Sequence, residues 1–190
     1  MTADFSDWQW INEPAKWSAD PAGTLRVTAD ARTDLWRVTH YGYSYDTAHL
    51  FGRTLPGDLR VAATLEAGYA EQYDQAGAAL RIDEENWIKA GVEFVDGRIN
   101  LSTVVTRGFS DWSVTPVAGP VESIRIELTR EGDTVTVRYG LDGAEPTVML
   151  RLAYFPPGVP ALAGVMCAAP VGDGFETRFT AVGVEAFGAA

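Results

Sequence analysis

Apolar and polar residues alternate with period two along most of the chain, and no window of useful length sustains a helical period. The alternation predicts strands over Leu25 to Thr28, Leu35 to His40, His49 to Arg53, Leu59 to Ala67, Gln75 to Ile82 and Trp87 to Phe94. It continues over Ile99 to Arg107, Glu122 to Arg130, Thr134 to Tyr139, Thr147 to Tyr154, Ala161 to Ala169 and Phe175 to Glu185. Asp96-Gly97, Asp142-Gly143 and Glu131-Gly132-Asp133 fall between such segments, where tight hairpins use residues that tolerate positive φ. The Pro-rich piece Phe155-Pro156-Pro157-Gly158-Val159-Pro160 lacks the amide donors of a central strand and reads as a connection. About a dozen strands without a blade-length repeat predict an all-β jelly-roll sandwich, with residues 1–190 forming one domain.

The pattern is most specific in two neighbouring segments. In Gln75 to Ile82 the apolar set is Ala76, Ala78, Leu80 and Ile82, which leaves Gln75, Gly77, Ala79 and Arg81 for the other face. In Trp87 to Phe94 the apolar set is Ile88, Ala90, Val92 and Phe94, and the opposite set is Trp87, Lys89, Gly91 and Glu93. Placing both apolar sets on one face requires an odd loop. A three-residue loop, Asp83-Glu84-Glu85, then sets Arg81 opposite Trp87, Ala79 opposite Lys89, Gly77 opposite Gly91 and Gln75 opposite Glu93.

Partners across a ladder lie roughly 5 Å apart at Cβ, so Gln75 is expected to bond Glu93 and Arg81 to lie on the Trp87 ring. Facing glycines add nothing to packing. Either something approaches the backbone at Gly77 and Gly91, making them the floor of a groove, or they accommodate a bulge or strong twist.

Composition narrows the setting. Hydrophobic content of 46% with six Trp, seven Tyr and eight Phe supplies a packed core and excludes disorder. A net charge of -11 opposes nucleic acid and anionic membrane surfaces as partners. The carboxylates are scattered, as on a solubilising surface. The opening residues lack the basic and apolar segments of a secretory leader, and a cytoplasmic location is expected. Cys167, the single cysteine, lies in an apolar run and reads as a buried inert thiol.

Trp87, Lys89, Glu93, Arg81 and Gln75 combine a flat apolar plate with donors and acceptors, which suits a sugar: its C–H face stacks on indole while its hydroxyls take directional bonds. The same residues also describe an exposed sheet face with a salt-bridged Lys and Glu. Thr33-Asp34-Leu35-Trp36 and Ser110-Asp111-Trp112-Ser113 read either as turns with an anchoring aromatic or as groove walls contributed by Trp36 and Trp112.

Several blocks together resemble a known family: Trp8-Gln9-Trp10-Ile11-Asn12-Glu13-Pro14, Thr33-Asp34-Leu35-Trp36, Tyr73-Asp74-Gln75-Ala76-Gly77, Trp87-Ile88-Lys89-Ala90-Gly91-Val92-Glu93, and Val104-Val105-Thr106 with Ser110-Asp111-Trp112-Ser113. They are similar to the domain-of-unknown-function family 1349, the family of the yeast regulation-of-enolase protein. The resemblance implies a concanavalin A-like lectin/glucanase sandwich of two curved antiparallel sheets with a concave face. It implies no agreed activity.

The expected function is binding of a carbohydrate or similar polar small molecule on the concave sheet. Trp36, Trp87 and Trp112 would stack, and Gln75, Arg81, Lys89, Glu93 and Asp111 would supply polar contacts. The enzyme alternative makes Glu93 a glycosidase-like acid or base, which needs a second carboxyl about 5 to 5.5 Å away for retention or roughly 6.5 to 9.5 Å for inversion. Asp74 and Asp111 are the nearby candidates, and the Glu-x-Asp-x-x-Glu pattern of laminarinase-type glucanases is missing. A further alternative, drawn from the family's name, is a regulator that docks on a metabolic enzyme.

No nucleophile elbow or phosphate cradle is present, and no cofactor is expected. His40 and His49 lack metal-ligand spacing and read as structural imidazoles, so no metal is assigned, although Asp-rich loops leave calcium open.

Overall fold

A computed structural model describes residues 4–187 of the chain. Two seven-stranded antiparallel sheets carry the period-two pattern. The first runs in the order β1 (Gln9–Ile11), β6 (His49–Leu55), β15 (Ala161–Ala168), β8 (Gln75–Arg81), β9 (Asn86–Val95), β10 (Arg98–Arg107), β11 (Phe109–Pro116). The second runs β14 (Val148–Tyr154), β13 (Thr134–Leu141), β12 (Ile124–Glu131), β7 (Leu59–Ala67), β16 (Gly174–Ala186), β3 (Leu25–Asp30), β2 (Lys16–Ala19). A small separate ribbon pairs β4 (Leu35–Arg37) with β5 (Ser44–Asp46). This is the expected jelly-roll sandwich, and among the described residues no helix is long and apolar enough to cross a membrane.

Between the sheets lies the main core. Ala78 and Leu80 of β8 and Ile88 and Val92 of β9 meet Val61 and Leu65 of β7 and Ile126 and Leu128 of β12. Each large aliphatic side chain buried here stabilises by about 1.5–3 kcal/mol. The Asp96-Gly97 and Asp142-Gly143 turns have positive φ at both residues, as the hairpins between β9 and β10 and after β13 require.

A second apolar layer covers the outer face of the first sheet. Leu35 and Ala48 descend from the ribbon segment onto Leu50, Ala79, Trp87, Val104, Leu162 and Met166. That cover decides which outward-facing residues meet solvent and which are sealed.

The hairpin of β8 and β9 has the expected register, with Gln75 facing Glu93, Gly77 facing Gly91, Ala79 facing Lys89 and Arg81 facing Trp87. The glycines, however, are not left open for a visitor. A Cβ on Gly77 would stand 2.6 Å from the Gly91 Cα, and one on Gly91 equally close to the Gly77 Cα. The two strands' own backbones approach each other there. Gly52 and Gly164 form a second facing pair between β6 and β15 on the same sheet.

Leu35 to His40 is not one strand. β4 stops at Arg37, because Val38 and His40 have φ of 61° and 67°, outside the extended region. His49 is buried with its ring nitrogens used: Nε2 accepts from the Asp30 amide at 3.0 Å, which leaves Nδ1 to donate to the Asn12 carbonyl at 2.5 Å. His40 is exposed on the ribbon. Cys167 is buried and free, and burial pushes its thiol pKa upward, so it is not a nucleophile.

Candidate functional site

A cavity of about 310 Å³ opens on the outer face of the first sheet, under the β4–β5 ribbon. Its polar floor comes from Gln75 on β8 and Lys89 and Glu93 on β9, and from Asp34 just before β4. Trp36, Tyr41, Tyr43 and Tyr45 come from the ribbon, Tyr73 from the turn before β8, and Trp112 from β11. Arg32 lies at the exposed rim.

The floor is bonded in two groups. Lys89 Nζ donates to the Leu35 carbonyl at 2.8 Å and to Gln75 Oε1 at 2.5 Å, and stands 3.8 Å from Asp34 Oδ1. Gln75 Nε2 donates to the Tyr73 carbonyl at 3.2 Å and to Asp34 Oδ1 at 3.4 Å. Two of the three Lys89 N–H donors are thus used, one tying the ribbon to the sheet through Leu35 and one bonding Gln75 of the sheet itself, which offsets the cost of burying the ammonium.

In the second group, Glu93 Oε2 accepts from Ser102 Oγ at 2.7 Å and from Trp112 Nε1 at 2.8 Å. Oε1 takes no hydrogen bond from the described residues and is not sealed from solvent. Burial pushes the Glu93 pKa up. Lys89 and the bonds from Ser102 and Trp112 pull against that rise, and Asp34 adds to it. Tyr41 is raised to about 12, first by the neighbouring Tyr73 phenol, with burial and the charge of Glu93 contributing.

The walls meet nearly at right angles. Trp36 and Trp112 have centroids 6.4 Å apart with planes at 89°, and Tyr73 meets Trp112 at 6.3 Å and 77°. Trp36 also meets Tyr41 at 5.7 Å and 70°.

The cavity unites Trp36, Gln75, Lys89, Glu93 and Trp112 from the sequence-based set. Three expected contacts lie outside it. Trp87 is 1% exposed within the second apolar layer, because the ribbon covers that end of β9. Arg81 turns to Asp46 at 2.8 Å and to the Asp83 carbonyl at 2.7 Å, since a carboxylate gives a nearly buried guanidinium more than a ring face does. Lys89, not Arg81, lies over the Trp87 ring, at 5.8 Å.

Asp111 neighbours Trp112 but alternation sends it to the opposite face, where it pairs with Arg151 of the second sheet at 3.0 Å. Asp74 is also elsewhere, buried and accepting from the amides of Ala70 and Glu71. Neither can pair with Glu93 in this cavity. Gln75 bonds Lys89 in place of its cross-strand partner Glu93, which Ser102 and Trp112 occupy.

Asp34, Tyr41, Tyr43, Tyr45 and Tyr73 were absent from that set. The one signal for the ribbon tyrosines is their spacing, Tyr41-x-Tyr43-x-Tyr45, which in a strand would put three aromatics on one side, although Gly42, with φ of 74°, turns the chain between the first two.

A family model described as "Protein of unknown function (DUF1349)" matches residues 10–186. The chain belongs to this family. It is 33% identical over 177 residues to Regulation of enolase protein 1 of Saccharomyces cerevisiae, covering 93% of this chain and 88% of that protein. The crystal structure of a functionally unknown protein from the same yeast superposes with a TM-score of 0.91 at 31% identity, covering 98% of this chain and all of that one. At the level of fold alone, the carbohydrate-binding module CBM66 from Bacillus subtilis superposes with a TM-score of 0.59 at 14% identity, over 96% of this chain and 98% of that one. The resemblance read from the central blocks is therefore correct, and membership in the family assigns no activity.

Proposed function

We propose that this chain is a binding domain for a carbohydrate or similar polar small molecule, held in the cavity between the β4–β5 ribbon and the concave outer face of the first sheet. The observation that carries this reading is a hydrogen-bonded floor of Asp34, Gln75, Lys89 and Glu93, the last three buried, lined by aromatic walls. Such a cavity supplies both apolar area and directional polar groups, the combination that orients a small polar ligand. The volume is at the small end of ligand sites and suits one or two rings, not a length of polysaccharide. The carbohydrate-binding function named for a domain of this fold and extent supports the choice of ligand. The setting we propose is cytoplasmic.

Trp36 is the residue to test, since Trp87 is sealed in the core. Titration of mono- and oligosaccharides by calorimetry is expected to give a ligand whose binding Trp36→Ala weakens at least about tenfold with little change in thermal stability. Equal binding by a folded Trp36→Ala variant would remove the site assignment.

A second reading, docking on a metabolic enzyme, is motivated by the relative's name and by the edge strand β14, where Val148, Met149 and Leu152 are all at least half exposed. Leu152→Glu separates the two: it should abolish capture of a partner enzyme and leave ligand binding in the cavity unchanged.

A further inference from the structure

The walls and floor also bear on the charge of the ligand. Trp36, Tyr41, Tyr73 and Trp112 form a chain of edge-to-face contacts along the cavity wall: Tyr41 meets Trp36, Trp36 meets Trp112, and Trp112 meets Tyr73. A flat pyranose face needs a parallel plate. Rings set 70° to 89° apart instead make corners, which fit a compact group against negative ring faces.

The charges around this box do not cancel. Lys89 is balanced by Asp34 and has two of its three N–H donors on Leu35 and Gln75. Arg37, on the ribbon itself, is tied to Glu85. Arg32 is at the exposed rim, where water screens it. Glu93 remains without an ion pair among the described residues: neutral donors sit on Oε2, Trp112 of the box being one, no hydrogen bond from those residues reaches Oε1, and Lys89 acts on it only from beyond ion-pair distance.

We propose that the cavity takes a ligand bearing a positively charged nitrogen, held among Trp36, Tyr41, Tyr73 and Trp112 with Glu93 as its counter-ion. This rests on the reading of the cavity as a small-molecule site and narrows the ligand's class. A protonated amine on a sugar and an alkylated ammonium share this chemistry. The first would also use the floor of Gln75 and Lys89, and the second needs only the box.

The test uses two pairs matched in shape and differing in charge: glucosamine with glucose, and choline with 3,3-dimethylbutan-1-ol. Calorimetric titration of the full chain is expected to give at least about tenfold tighter binding for the charged member of a pair. Glu93→Gln should erase that preference. A neutral member binding as tightly as its charged counterpart overturns the proposal in the unmodified protein, whatever the variant does. Glucose and glucosamine binding alike would leave a carbohydrate site standing and end the claim of charge. Choline binding with neither sugar bound would uphold the cationic site and end the carbohydrate reading. No binding by any of the four overturns both.

Discussion

Glu93 is expensive for the fold in the form a ligand would use. Its carboxyl is buried, and its folded pKa stands above the ordinary glutamate value of 4.5 chiefly through desolvation. The folded state therefore holds a proton that the unfolded chain has released as pH rises past that ordinary value. Its contribution is fully present below the unfolded pKa and is lost as pH rises through the folded one. Glu93→Gln keeps an acceptor for Ser102 and Trp112 without the charge. The variant is expected to melt above the unmodified protein at pH 7, with the gap closing towards pH 4. Thermal melts at both pH values check this, and a variant less stable at pH 7 would contradict it. Retaining a destabilising carboxylate beside aromatic walls is the trade that binding sites make against stability. Alternation placed Gln75, Lys89 and Glu93 on one face from the sequence, because a strand's period needs no tertiary information. It gave the same face to Trp87, whose burial depends on a segment some forty residues upstream, and no local pattern announces such a cover.

At the level of elements, the paired glycines and the ribbon work on the same face. With both Cβ positions of Gly77 and Gly91 blocked by the opposite backbone, this hairpin closes more tightly than side chains would allow. Gly77→Ala forces β8 and β9 apart and is expected to destabilise by about 1–3 kcal/mol, as overpacking does. Urea denaturation measures it, and a neutral effect would mean that the close approach is not needed. The ribbon is anchored differently. The Arg37 amide donates to Ser110 Oγ at 2.9 Å, its Nε donates to the Gly108 carbonyl at 3.1 Å, and its guanidinium pairs with Glu85. Because that pair is partly exposed, Arg37→Ala should cost about 1 kcal/mol or less of global stability. The amides of Val38 and Gly42, which donate to the Tyr43 and Val38 carbonyls, should nevertheless exchange faster while β8 and β9 keep their protection, which hydrogen exchange reads directly. Unchanged exchange in the ribbon would assign its anchoring to the contacts that survive the substitution, among them Lys89 on Leu35 and Arg81 on Asp46. β4 and β5 were hard to read as a pair because each is three residues long. Positive φ at Val38, a β-branched residue, breaks the pattern between them in a way that propensity does not foresee.

Across the whole molecule, long strands with one face on the core were legible and short edges were not. β7 and β12 alternate because one side of each packs inward, and β13 does so up to the register shift after Val137, whereas β2 and β5 are exposed along their length and carry no burial signal. β11 was obscured by Gly108 and Ser110-Asp111, which read as turn chemistry although the strand runs from Phe109 against β10. Both sheets nonetheless pack one continuous core, with Leu80 and Ile88 from the first against Leu65, Ile126 and Leu128 from the second. Neither sheet buries its inner face without the other, so the chain should behave as one cooperative domain. Leu128 lies in the second sheet, while Trp36, Trp87 and Trp112 sit on the far side of the first, so that fluorescence reports that face alone once Trp8, Trp10 and Trp17 are replaced by Phe. Leu128→Ala, which leaves a cavity in the shared core, is expected to destabilise by about 2–5 kcal/mol. In a single cooperative unit that loss shifts the denaturant midpoint from tryptophan fluorescence and the midpoint from far-ultraviolet circular dichroism together. If the fluorescence midpoint stayed in place while the dichroism midpoint moved, the sheets would be unfolding independently and the chain would hold two units.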